Sequence, residues 1–198
     1  LSIGGGTTLD LDTFSISHGL VTTSGASPAI TGTGTITAAS GFFFNHTGNT
    51  TVAAVLAGAG GLLKAQTNTL TLSGLNTYTG TTEIQSGILS VDSVANVGGG
   101  PSALGAPTTA EAGVIRMGLT TTATTLTYTG AGHTSDRIVA LQGSTGGVTL
   151  DADGTGALGL GGAQGEMAGA KTLTLQGASA AAVINTLGLI ADGAGTIS

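Results

Sequence analysis

The sequence contains no cysteine and no tryptophan, only three prolines, six other aromatic residues and 7% charged residues. Each shortage excludes something. Without cysteine, a disulfide scaffold and a thiolate zinc site are impossible. Four Lys+Arg against ten Asp+Glu cannot neutralise many phosphates, which speaks against nucleic-acid binding. Three prolines and no three-residue glycine period exclude a collagen helix. No apolar run approaches the roughly 20 residues that a membrane-spanning helix needs. The opening Leu1-Ser2-Ile3-Gly4 has neither a basic start nor an apolar core, and no initiator Met. A processed product or a piece of something longer is expected.

The residues present in excess are Gly (37) and Thr (36), in a chain of 198 residues that is 40% hydrophobic. Low charge with this hydrophobicity argues against disorder. Gly and Thr are poor helix formers, whereas Thr, Val and Ile suit strands. The most helix-like stretch, Ala178 to Ile190, is interrupted by Asn185, Thr186 and Gly188. Alternation of apolar and polar residues predicts strands at Thr8–Asp12, Thr33–Thr37, Gly87–Val91, Gly113–Met117, Arg137–Leu141 and Gly147–Leu150. Pro28, Pro101 and Pro107 fall outside them.

Internal repetition is the strongest feature. Thr69-Leu70-Thr71-Leu72-Ser73-Gly74-Leu75 recurs as Thr125-Leu126-Thr127-Tyr128-Thr129-Gly130-Ala131 and again as Thr172-Leu173-Thr174-Leu175-Gln176-Gly177-Ala178, at offsets of 56 and 47 residues. A shorter echo is Val148-Thr149-Leu150. Strand signals at such irregular intervals fit a β-solenoid with loops of varying length. Each coil would lay strands on the next, hiding Leu, Ile, Val and Ala and turning Thr and Ser outward, with Gly at corners and close approaches. The expected fold is all-β, a parallel β-helix forming one elongated unit over residues 1–198.

The run Thr69 to Thr82, read T-L-T-L-S-G-L-N-T-Y-T-G-T-T, followed by Gly87-Ile88-Leu89, resembles the autotransporter-associated β-helix repeat. Ser102-Ala103-Leu104-Gly105 is similar to the step that follows in such proteins. The resemblance implies coils of a right-handed parallel β-helix in a bacterial secreted or surface-anchored protein, and it implies no catalytic residues. A whole autotransporter would add a secretion signal and a C-terminal membrane barrel, and neither pattern occurs here. From the residues themselves, Leu70 and Leu72 should point inward, and Gly74 and Gly80 should turn corners. Asn76 should bond its own backbone at a bend. Tyr78 should cap a corner, with its hydroxyl in water.

Candidate sites are few. Asp151 and Asp153, or Asp10 and Asp12, pair carboxylates that could serve calcium or glycoside cleavage. A solvated acidic corner is the plainer reading, because the nonapeptide calcium repeat is missing. Sugar cleavage would have only Tyr78 and Tyr128 as platforms, and only Lys64, Arg116, Arg137 and Lys171 as cations. His18, His46 and His133 read as three independent loop histidines, and no G-x-S-x-G occurs. Gly98-Gly99-Gly100 lacks the Lys of a phosphate loop. In Phe42-Phe43-Phe44 the alternation turns Phe42 and Phe44 to one side, as core or as a cap. Outward Thr-x-Thr steps could bind ice, but the irregular offsets argue against a flat array. Asn45 and Asn49 fit the glycan-acceptor pattern.

No catalytic, cofactor or metal residue is assigned. The expected role is structural: a segment of an extracellular or cell-surface β-helical fibre, stacking end to end with further coils or copies. That expectation rests on termini without charged or Pro-rich caps, which leave strand edges open. The alternative is an adhesin that binds surface glycans or matrix through its flank or loops. No nucleic acid, membrane span or cofactor is expected.

Overall fold

The structure is a computed structural model, and it describes residues 1–119, 121–165, 169–177, 185–191 and 196–197. Strands dominate, and the one helical element among these residues is the four-residue turn Ala110–Gly113, capped where Thr109 Oγ1 accepts from the Ala112 amide at 3.2 Å.

The strands build two parallel sheets. Sheet I stacks Ser2–Ile3, Ile16–Gly25, Thr35–His46, Gly61–Lys64, Thr82–Ile84, Ile115–Met117, Ile138–Leu141 and Gly156–Gly165. Sheet II stacks Thr8–Asp10, Ala29–Thr31, Thr50–Val52, Thr69–Leu72, Gly87–Val91, Thr124–Tyr128, Gly147–Ala152, Ala170–Gln176 and Thr196–Ile197. The chain alternates between the sheets, so each coil gives a strand to both and lies on the coil before it. This is the expected parallel β-solenoid, whose strands neighbour one another at about 4.8 Å.

Parallel register turns the inward residues into columns. On sheet II one column runs Leu9, Ile30, Val52, Leu72, Val91, Tyr128, Ala152. Beside it runs Leu70, Leu89, Leu126, Leu150. Sheet I contributes Val21, Phe42, Leu62, Thr82, Ile115, Val139. Leu70, Leu72, Leu89, Val91 and Ile115 are wholly buried, and each such side chain contributes about 1.5–3 kcal/mol of burial.

Coil length varies while the register holds. Successive residues of the first column from Ile30 to Val52, Leu72 and Val91 are 22, 20 and 19 apart, but Val91 to Tyr128 spans 37. The surplus folds at a corner as residues 92–114. The repeat copies at Thr69 and Thr125 are thus two rungs apart, with Gly87–Val91 between them. The third copy is displaced: Leu126 stacks through Leu150 on Leu175, not on the Leu173 that the motif match pairs with it. A two-residue slip preserves the inside-outside alternation, although Leu175 itself is 57% exposed.

Several sequence expectations change. The strand foreseen from Thr33 begins at Thr35 and continues to His46, and the one foreseen from Gly113 shortens to Ile115–Met117 behind the helical turn. Of the helix-like stretch, residues 178–184 lie outside the described residues, and the remainder contains the strand Thr186–Ala191. Gly74 and Gly80 sit at corners for lack of room. A Cβ on Gly74 would lie 2.6 Å from the Ala54 carbonyl oxygen, and one on Gly80 would lie 2.5 Å from the Gly61 nitrogen.

Candidate functional site

The outward face of sheet II is the most regular surface. One column runs Thr51, Thr71, Ser90, Thr127, Asp151, Gln176, and the next runs Thr69, Ile88, Thr125, Thr149, Thr174. Rungs repeat at about 4.8 Å, and the two columns stand about 6.6 Å apart along the strand. The variable loops are absorbed in corners, so the outward residues align in columns, but Ser90, Ile88, Asp151 and Gln176 interrupt the threonines. Threonine is stiff at χ1, which fixes hydroxyls and methyls in place. Asp151 is the one charged side chain in these two columns, and its Oδ2 accepts from Gln176 Nε2 at 3.1 Å.

Sheet I presents a hollow of about 390 Å³ between Leu20, Phe43, Leu63 and Glu83, floored by Gly61. Phe43 points outward while Phe42 and Phe44 are buried, as the alternation predicts. On the next rung Arg116 donates to Thr81 Oγ1 at 3.3 Å and pairs with Glu111.

The basic residues are mostly hidden. Lys64 is fully buried, and Arg137 and Lys171 are 1% exposed. The Lys64 ammonium donates to the carbonyl oxygens of Ala65 (2.7 Å), Gln66 (2.8 Å) and Ser86 (3.3 Å) and to Asn68 Oδ1 (2.8 Å). Burial lowers its pKa from 10.5 to about 8. Arg137 Nε donates to Gly113 O and Nη1 to Leu104 O, both at 2.7 Å, which pins the corner insertion to the solenoid. With three of four cations inside and the fourth paired to Glu111, the surface is more acidic than the formal net charge of −6 suggests.

The insertion also explains Asn76 and Tyr78. Asn76 does not bond its own backbone. It is 1% exposed, its Oδ1 accepts from the Leu56 amide at 2.8 Å, and its Nδ2 donates to Ala103 O at 2.8 Å. It thus ties the preceding coil to the insertion. The Tyr78 hydroxyl is not wet: the residue is wholly buried and bonded to Thr82 Oγ1 at 2.8 Å. Gly105 of the Ala-Leu-Gly step packs so closely on Tyr78 that a Cβ would lie 2.7 Å from its ring.

The predicted site residues stay apart. Asp10 Oδ1 accepts from the Asp12 backbone amide at 3.1 Å, and Asp12 sits in a turn with φ 48. Asp151 stands on a strand, and Asp153 follows the strand's end. Among the described residues no three His, Asp or Glu side chains converge as metal ligands. Both tyrosines are fully buried, so neither can serve as a sugar platform. The histidines are independent, but they are not loop residues. His18, His46 and His133 lie on strands Ile16–Gly25, Thr35–His46 and Ala131–Thr134. His133 Nδ1 is 2.7 Å from the Tyr128 hydroxyl.

His46 is the residue that sequence reasoning missed. It is wholly buried, its Nδ1 is 2.8 Å from Thr23 Oγ1, and its Nε2 has no partner. Burial and the Lys64 charge hold its pKa at about 4. The alternation that buries Phe42 and Phe44 was the available signal, because it buries His46 too.

Comparison with known proteins gives two matches. Residues 62–91 match the family described as passenger-associated-transport-repeat. The adhesin BmaC autotransporter of Brucella suis biovar 1 (strain 1330) is 33% identical over 162 residues, which is 80% of this chain and 4% of that protein. No solved structure matches.

Proposed function

We propose that this chain, an autotransporter-passenger repeat protein, is one segment of a bacterial cell-surface or secreted β-helical passenger that serves as an adhesive stalk without catalysis of its own. The observation that carries the reading is the parallel register running unbroken from Leu9 to Ala152 while coil length varies from 19 to 37 residues. Such an array adds length coil by coil, because each coil contacts only its neighbours. The similar protein is named an adhesin, which supports an adhesive role. The carboxylates of Asp10, Glu83, Asp92, Asp136 and Asp151 each accept a hydrogen bond from another protein group and Glu111 pairs with Arg116, which supports a non-catalytic one. Further coils of the same passenger are the proposed partners, stacked end to end.

The test displays the segment with its flanking coils on a bacterial surface and measures adhesion to cells, matrix proteins and glycans. Loss of adhesion on deleting residues 1–165, with the remaining passenger still displayed, is the expected result. Full adhesion of the deletion overturns the adhesive reading, and turnover of acidic polysaccharide by the purified chain overturns the non-catalytic one.

A second reading places the adhesive function on the threonine columns of sheet II. The face carries one charge and an ordered set of hydroxyls, chemistry that suits an uncharged hydroxylated partner such as a neutral glycan chain. Thr127→Lys and Thr71→Lys leave the core untouched and should abolish such binding. Unchanged binding refutes this reading.

A further inference from the structure

The interior of the N-terminal coils carries two titratable groups, His46 and Lys64, on neighbouring rungs. On sheet I the inward column runs Ile3, Thr23, Phe44, Lys64, Ile84, Met117, Leu141. His46 follows Phe44 on the same strand and face, with its ring edge-on to Phe44 at 6.0 Å. The imidazole thus sits between Thr23 of the preceding coil and the coil carrying Lys64.

A neutral imidazole has one N–H and one lone pair. Whichever way the Thr23 bond runs, one buried ring nitrogen is already unpaired. A second proton would leave the imidazolium with one N–H that has no protein acceptor and a charge on a wholly buried ring. The Ala65, Gln66 and Ser86 carbonyls and Asn68 Oδ1 turn to the Lys64 ammonium, and none of them bonds His46 Nε2. Lys64 is the charged group that faces His46. Thr23, Phe44 and Asn68 around the pair are neutral, strands Thr50–Val52 and Thr69–Leu72 bring no charge, and His18 of the preceding coil is exposed. A protonated His46 therefore meets a cation and no anion.

We infer that His46 and Lys64 form an acid-sensitive latch inside the solenoid: protonation of His46 opens the coils between Ile16 and Asn68 while the coils from Gly87 to Ala152 stay closed. The confinement follows from nearest-neighbour energetics, in which one weakened interface opens without dissolving distant ones. Opening bares the edges of Thr35–His46 and Gly61–Lys64, whose free amide and carbonyl groups can pair with another chain. Acid thus converts a closed stalk into one that offers strand edges.

The sign is fixed by the ring. A base that the fold keeps neutral adds stability that is complete above its unfolded pKa of 6.5 and is lost as pH falls toward about 4. Hydrogen exchange followed by mass spectrometry on the native chain, corrected for intrinsic rates, tests the latch between pH 7 and 4.5. Expected is a loss of protection on the order of a hundredfold in peptides covering 35–46 and 61–64, with peptides covering 87–91, 124–128 and 147–152 little changed. His46→Gln keeps a hydrogen-bonding group and should remove the pH dependence. Equal loss in all coils, no loss, or the same loss in His46→Gln overturns the inference. If His46→Gln fails to fold, NMR titration of His46 in the native chain decides: a midpoint well below 6 supports the latch, and one at or above 6 overturns it.

Discussion

Replacing Asn76 separates two accounts of the repeat motif. If Asn76 served a local bend, Asn76→Gly would be nearly neutral, since Gly accepts any backbone conformation that Asn does. The structure instead gives its side chain to two other segments, the Leu56 amide and the Ala103 carbonyl, both at 2.8 Å in a buried setting. Removing the carboxamide strands a buried N–H and a buried C=O. Each orphan costs about 1–3 kcal/mol, so Asn76→Ala and Asn76→Gly should both lose about 2–6 kcal/mol. Asn76→Asp retains the acceptor for Leu56 but sets a carboxylate against the Ala103 carbonyl, and should lose at least as much. Urea unfolding followed by circular dichroism measures these losses, read from the transition that includes the coil carrying Leu56. Protease sensitivity of residues 92–114 should rise in parallel, because Asn76 is one of their ties. A loss below about 0.5 kcal/mol in Asn76→Gly would refute the inter-coil role.

Other outcomes follow from the same geometry. Leu89→Ala, at a wholly buried position in the middle of its column, should cost about 2–5 kcal/mol in denaturant unfolding, whereas Thr127→Lys on the outer face should stay within about 0.5 kcal/mol. Gly61→Ala should fail to fold or lose solubility, because its Cβ would lie 2.3 Å from the Thr81 carbonyl oxygen. Lys64 has a folded pKa of about 8 against 10.5 unfolded, so the unfolded chain holds more protons between those values and stability should rise with pH from 8 toward 9.5. Urea midpoints across that range should climb in the native chain and stay level in Lys64→Met.

Much of the architecture was legible because the solenoid is written in short-range pattern. The alternation in Phe42-Phe43-Phe44 and in Thr69-Leu70-Thr71-Leu72 assigns inside and outside directly, and the structure keeps both. What alternation cannot show is which rung lies on which. The register Leu126–Leu150–Leu175 differs from the motif match by two residues, and only inter-coil packing distinguishes the two. The same blindness hid the polar interior. Nothing in the local pattern marks Lys64 and Arg137 as buried, because a buried cation depends on acceptors up to 33 residues away, such as Leu104 O for Arg137. Asn76 and Tyr78 were misplaced for the same reason, since the insertion that covers them comes later in the chain. The surface readings fared differently. The threonine steps were visible, but their alignment into columns became apparent only once variable loops were folded away at the corners.

The stacked-rung claim is tested most directly by paired cysteines, and the chain's lack of native cysteine makes the experiment clean. Ser90→Cys with Thr127→Cys places two thiols on adjacent rungs, 37 residues apart in sequence and about 4.8 Å apart in space, within reach of a disulfide. Thr71→Cys with Thr127→Cys places them two rungs and about 9.6 Å apart, beyond that reach. Mild oxidation should crosslink the first pair rapidly within the monomer and leave the second pair free. Crosslinking of the second pair in preference to the first would contradict the parallel solenoid.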